Sequence, residues 1–90
     1  MRTIREVMEM PVTALDFSVR STNCMKNMNV RMLCELTRCS QDEIAKRRNV
    51  GRKSIAEITE KLHDMGLSFS MTDRMWMDWG LAHLDLVKSL

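Results

Sequence analysis

Gly51, Arg52, Lys53 and Ser54 follow one another within NVGRKSIAEI (49–58), so a turn former, two cations and a hydroxyl stand at the start of an apolar-periodic segment. That set suits non-covalent capture of an anion. The first amides of a helix have no acceptor inside it, and the positive end of the helix dipole lies at the same place. The amides of Arg52, Lys53 and Ser54 would be such donors, with Lys53 adding charge and the Ser54 hydroxyl a neutral donor. Gly51 is expected to take a positive φ that turns the chain in front of the helix. A phosphate fits this set. The plainer alternative is an ordinary helix–helix turn with a solvated basic rim.

Other chemistries find less material. Cys24, Cys34 and Cys39 are an odd count with no CxxC pair, and His63 and His83 lie far off in sequence, so no metal site is expected. Thiols in a reducing compartment are the better reading. No acidic cluster follows the Gly51 turn, no Ser-His-Asp order can be placed, and no GxxxxGK[ST] loop occurs; His63 and Asp64 look like surface residues at the far end of a helix. No enzyme activity and no cofactor are expected.

The charge distribution agrees with an anionic partner. Between Arg20 and Lys53 there are nine Lys/Arg and three Asp/Glu, while the rest of the 90-residue chain sums to −4. The positive charge is concentrated mid-chain. The length allows one modest core, and ten methionines replace scarce aromatics as gap-fillers. There is no apolar run long enough for a membrane and no signal-peptide core in MRTIREVMEM, so a cytoplasmic location is expected.

The elements that must position the anion site read as short helices. Residues 1–12 are expected to form a frayed tail or linker ended by Pro11. Leu15, Phe17 and Val19 suggest an extended entry burying alternate side chains, before a helix from about Ser18–Arg20 to Asn27. Val30 to Arg38 carries Met32, Leu33 and Leu36 at helical spacing, and SQDE (40–43) is a capping box for a third helix reaching Arg47. Ile55, Ile58, Leu62 and Met65 make one apolar stripe closed by Gly66 in the left-handed region. Thr72 or Asp73 caps a last helix, weakened at Gly80 by about 1 kcal/mol.

Two helices joined by a glycine turn with bases form a helix-hairpin-helix, which grips a nucleic-acid backbone without reading bases. A second stretch narrows this reading. VRSTNCMK (19–26) and NVGRKSIAEI (49–58) together resemble the C-terminal domain of the bacterial RNA polymerase alpha subunit. That family carries a VRSxNCLK-like segment on its first helix and an NLGKKSLxEI-like segment opening its fourth. The interval here shows no insertion or loss, and GLSFSM (66–71) followed by Trp76 is similar to the family's GLSLGM…W ending. The likeness covers roughly residues 13–76.

The resemblance implies an all-α, compact bundle of four to five short helices with a helix-hairpin-helix, spanning 13–76, plus a C-terminal helical extension over 77–90. It also implies a non-catalytic DNA-binding module of the transcription machinery. Arg20 would enter the minor groove of A/T-rich upstream promoter DNA. Asn23 and Cys24 would flank Arg20; Gly51, Arg52, Lys53 and Ser54 would hold phosphates; Glu57 would orient a basic neighbour such as Arg20. Beside these roles stand plainer ones: a surface residue at a helix start for Arg20, a local cap for Asn23, core packing for Cys24. The implied partners are double-stranded DNA, RNA polymerase, the sigma factor and transcription activators.

Two departures from the family matter. Its acidic sigma-contact stretch reads TALD here, so Asp16 keeps one carboxylate while Thr13 and Ala14 are uncharged. Past Trp76 the sequence runs on as MDWGLAHLDLVKSL, with Trp76, Trp79, His83, Val87 and Leu90 near one helical face, widened by Met77, Leu81 and Leu84. This helix either covers its own core or offers a docking face through Trp76 and Trp79, including for self-association as a homodimer. The alternative function is a protein-interaction adaptor that keeps the fold but binds a regulator or polymerase subunit. The sequence reads equally as an excised domain or a free-standing paralogue.

Overall fold

The structure is a computed structural model and describes residues 3–47 and 50–84. Among them are six α-helices, one 3₁₀ turn and no strand, an all-α fold as expected. In order along the sequence the helices are α1 (Ile4–Met8), α2 (Val19–Asn27), α3 (Leu33–Arg38), α4 (Gln41–Ala45), α5 (Arg52–Asp64) and α6 (Asp73–His83).

Hydroxyl caps set several starts. The Ser18 Oγ accepts the Ser21 amide at 3.2 Å, Ser40 Oγ accepts that of Glu43 at 3.1 Å, and Thr72 Oγ1 accepts that of Met75 at 3.2 Å. Two ends are Schellman motifs. In α2 the left-handed residue is Asn29 (φ 58°), with Val30 N–H donating to Met25 O at 2.9 Å and Asn29 N–H to Lys26 O at 3.0 Å. In α5 it is Gly66 (φ 77°), with Leu67 N–H on Leu62 O at 2.7 Å and Gly66 N–H on His63 O at 2.9 Å. Val30 therefore closes α2, and α3 begins at Leu33 rather than at Val30 as the periodicity suggests. Likewise α4 ends at Ala45, short of Arg47.

The N-terminal segment differs from the expected tail. Residues 4–8 are helical, with the Thr3 hydroxyl accepting Glu6 N–H at 3.1 Å and Val7 buried. Five residues cannot sustain a helix alone. Packing on α3 and α6 holds this one, and the next segment is tied down by Val12 N–H on Arg31 O and Leu33 N–H on Met10 O, both 2.9 Å. Ile4 lies against Gly80, where an added Cβ would overlap its Cδ1 and Cγ1. The glycine expected to weaken the last helix is thus where α1 docks.

The extended entry also differs. Val12–Leu15 form the 3₁₀ turn and Asp16 is left-handed (φ 55°), which breaks the alternation. Leu15 and Phe17 pack on the core, but Val19 is 78% exposed. The core cluster includes Met25, Leu33, Leu36, Ile44, Ile58, Leu62 and Trp76. Val87 and Leu90 lie outside the described residues.

Candidate nucleic-acid interface

The two motifs lie far apart in sequence and meet in space because α2 packs on α5. Ser18, Arg20 and Ser21 from the start of α2, with Lys53, Ser54 and Glu57 from the start of α5, line one cleft of about 330 Å³. Both helices direct their N-termini and positive dipole ends toward this region, α2 capped by the Ser18 side chain and α5 with no side-chain cap. Arg20 and Lys53 are exposed there, and Arg52 is exposed beside them.

Two side chains of α5 fix the register of the pair. Glu57 Oε1 accepts the Ser18 amide at 3.0 Å, and one turn later Lys61 Nζ donates to Leu15 O at 3.1 Å. Lys61 also lies 5.9 Å from the centre of the Phe17 ring. Hydrogen bonds from the Ser21 side chain and the Ser18 amide, aided by the Lys61 charge, hold the Glu57 carboxyl below the usual glutamate range against a smaller opposing effect of burial. Glu57 is an N-terminal cap on α2, delivered from another helix.

Ser54 is 2% exposed, and its Oγ has no hydrogen-bond partner among the described residues. It is a buried hydroxyl with unmet hydrogen-bonding capacity in the first turn of a 13-residue helix, at the wall of the cleft. Gly51 corrects an expectation. It is the N-cap of α5 with φ −83° and ψ 162°, extended backbone that any residue adopts. An added Cβ would meet nothing within 4 Å. Neither the turn nor the packing requires glycine there.

The remaining candidates separate. Asn23 is exposed on α2, whereas Cys24 is buried and faces the core. Asp16 is exposed in its left-handed position. Trp76 and Trp79 are 2% and 9% exposed, so the docking role expected of them is corrected: both rings belong to the core. Trp76 Nε1 donates to Thr37 Oγ1 at 3.2 Å, and Trp79 Nε1 to Met65 O at 2.7 Å. The two indoles meet edge to face at 5.5 Å, and His83 stacks on Trp79 at 5.0 Å. Met75, Met77 and Leu81 are the large apolar residues of α6 exposed to solvent.

Sequence reasoning reaches Ser18 only as a helix start and misses Ser21 and Lys61. Ser18 and Ser21 carry a signal, as small hydroxyls at a helix start. Lys61 carries none, because its acceptor lies 46 residues earlier. Among the described residues, no group of three His, Cys, Asp or Glu is placed to hold a metal. No described helix is long and apolar enough to cross a membrane.

Comparison with known families decides the kinship. The family profile for the C-terminal domain of the bacterial RNA polymerase alpha subunit matches residues 2–64. The protein belongs to this family. The matched stretch takes in α1 through α5. The DNA-directed RNA polymerase subunit alpha of Salinibacter ruber is 47% identical over 70 residues, covering 78% of this chain and 21% of the relative. That of Clostridium acetobutylicum is 44% identical over 68 residues (76% and 22%), and that of Treponema pallidum 41% over 70 residues (78% and 20%). The sequence spans about a fifth of the length of these curated relatives.

Proposed function

We propose that this protein is a non-catalytic DNA-binding module of the bacterial transcription machinery that contacts A/T-rich upstream promoter DNA. The observation that carries the reading is the shared cleft in which Arg20 and Ser21 from one motif meet Lys53 and Ser54 from the other. Arg20 enters the narrow minor groove, whose enhanced negative potential attracts a guanidinium without a unique base code. Asn23, exposed on the same helix, contacts the groove edge; buried Cys24 lets α2 sit close and contributes through its backbone. The amides of Arg52, Lys53 and Ser54, the Lys53 ammonium and the Ser54 hydroxyl hold phosphates of the adjacent strand. Gly51 supports this, since a residue the fold does not need as glycine suits close approach of a backbone to a ligand. Glu57 acts as a positioning residue: by capping Ser18 it fixes the turn of α2 that carries Arg20.

As a member of a family of polymerase alpha-subunit domains, the module works with RNA polymerase in the bacterial cytoplasm. Transcription activators dock on its outer faces, and Asp16 is the one carboxylate kept in the stretch that the family uses for sigma contact. An adaptor role on the same fold is favoured by Met77 and Leu81, each more than half exposed on α6, where a regulator or a second copy would sit. One titration separates the readings. Wild type and Arg20→Ala are titrated against an A/T-tract duplex and a G/C duplex at two salt concentrations. A salt-sensitive A/T preference that disappears in the variant is the expected result. No binding to either duplex at low salt refutes the DNA reading and leaves the adaptor.

A further inference from the structure

A second cleft lies on another side of α2. Lys26 is six residues after Arg20, which places it about a third of a turn around the helix and ~9 Å along it. The cleft there, about 430 Å³, is bounded by Lys26 and Thr22 of α2, by Arg31, and by Pro11, Val12 and Val30. Two cations thus face apolar surface, and among the described residues no carboxylate lines the cleft. Lys26 and Arg31 are both exposed, and neither has an ion-pair partner among the described residues.

The walls are built by backbone hydrogen bonds rather than by chance proximity of loops. Val12 N–H donates to Arg31 O at 2.9 Å, and the Schellman motif at the end of α2 fixes Asn29 and Val30. The carbonyls of Cys24, Met25 and Lys26 already accept the amides of Met28, Val30 and Asn29 respectively, so the helix end does not need the Lys26 ammonium as a cap. The charge is available to a partner.

We propose that the Lys26–Arg31 cleft binds an acidic peptide segment of a partner protein, with carboxylates on the two cations and an apolar side chain against Pro11, Val12 and Val30. A duplex phosphate would satisfy only the cations. An acidic segment with an interleaved apolar residue uses both halves of the cleft; no carboxylate lines it, and that of nearby Glu35 is engaged by the Arg31 and Met32 amides at 3.1 and 2.9 Å. The site is separate from the Arg20 cleft, so its occupation does not depend on the DNA reading.

The test uses a short fluorescein-labelled peptide of repeated Asp-Leu-Glu, its Asn-Leu-Gln counterpart, and an Asp-Glu peptide without leucine. Anisotropy gives affinity, and amide chemical shifts of the 90-residue protein locate the peptide. The Asp-Leu-Glu peptide is expected to shift Thr22, Lys26, Asn29, Val30 and Arg31, and to bind better than both controls. Lys26→Glu and Arg31→Glu, exposed positions whose thermal unfolding is checked in parallel, should each weaken it by about tenfold or more. Arg20→Ala should leave it unchanged. The proposal fails if there is no binding, if the peptide lacking leucine binds equally well, or if the shifts centre on Arg20 and Lys53. It also fails if Lys26→Glu and Arg31→Glu reduce duplex DNA affinity as much as Arg20→Ala does, because the cleft would then belong to the DNA footprint.

Discussion

Replacing Gly51 by alanine separates what the fold needs from what the ligand needs. The backbone at 51 (φ −83°, ψ 162°) accepts any side chain, and the new methyl meets nothing within 4 Å. Two small effects on stability oppose each other. Alanine restricts the unfolded ensemble, which stabilises by about 0.4–1 kcal/mol. It is also a poorer N-cap than glycine, which costs about 1 kcal/mol. The sum lies within about 1 kcal/mol of zero, or roughly 5 °C in Tm for a protein of this size. DNA binding responds differently. An N-cap side chain is the one placed next to the amides of the following turn, so the methyl stands where a phosphate must approach Lys53 and Ser54. Loss of one hydrogen bond to a charged acceptor weakens Kd by roughly ten- to a hundredfold, and loss of one phosphate contact lowers the salt slope by about 0.9. Thermal unfolding and a salt series of anisotropy titrations measure both. A fall in Tm beyond about 10 °C would show that the fold does require glycine, contrary to the local geometry. Unchanged affinity and slope would show that no phosphate approaches this backbone.

Three further perturbations follow from the geometry. Glu57 has a depressed folded-state pKa, so its contribution to stability is present above the ordinary value of 4.5 and is lost as pH falls through the lower folded value. Urea midpoints taken from neutral pH downward should therefore fall more steeply in wild type than in Glu57→Gln, and parallel curves would remove the cap from the account. Gly80→Ala should destabilise, although alanine is the better helix former by about 1 kcal/mol, because the Cβ overlaps Ile4. Adding Ile4→Ala should make that substitution less costly, and additive losses in Tm would refute the contact. Thr37→Val leaves the Trp76 indole N–H without its acceptor in the core and should cost about 1–3 kcal/mol. In the double variant with Trp76→Phe the losses should sum to less than the two singles, as denaturant melts can decide.

What is legible in the sequence is local, and what escapes it is long-range. The Ser40 cap, the Ile58 and Leu62 stripe and the left-handed Gly66 each depend on residues within a few positions, and all three are present. The helix around VRSTNCMK is legible for the same reason. α1 is not, because its five residues are helical only while Val7 and Ile4 are packed by distant partners. The tryptophans look like one face of an outer helix, since Thr37 lies 39 positions from Trp76 and nothing nearby announces it. Gly51 reads as a turn former on residue type alone, whereas an N-cap sits in the extended region. The partner of Glu57, 39 positions earlier, is likewise beyond local reading.

The way α5 holds the entry to α2 affects how this surface can vary. Glu57 grips the Ser18 amide and Lys61 grips the Leu15 carbonyl, so both holds are on main-chain atoms, the carbonyl supplied by every amino acid and the amide by every one but proline. Thr13, Ala14 and Asp16 lie outside those holds and are exposed to solvent. The Thr13 and Ala14 side chains can be exchanged, even between acidic and neutral, while Arg20 keeps its position relative to Lys53; left-handed Asp16 is limited to residues such as Asp, Asn and Gly that tolerate its φ of 55°. A segment anchored by its backbone can change its outward side chains without redesign of the cleft beside it.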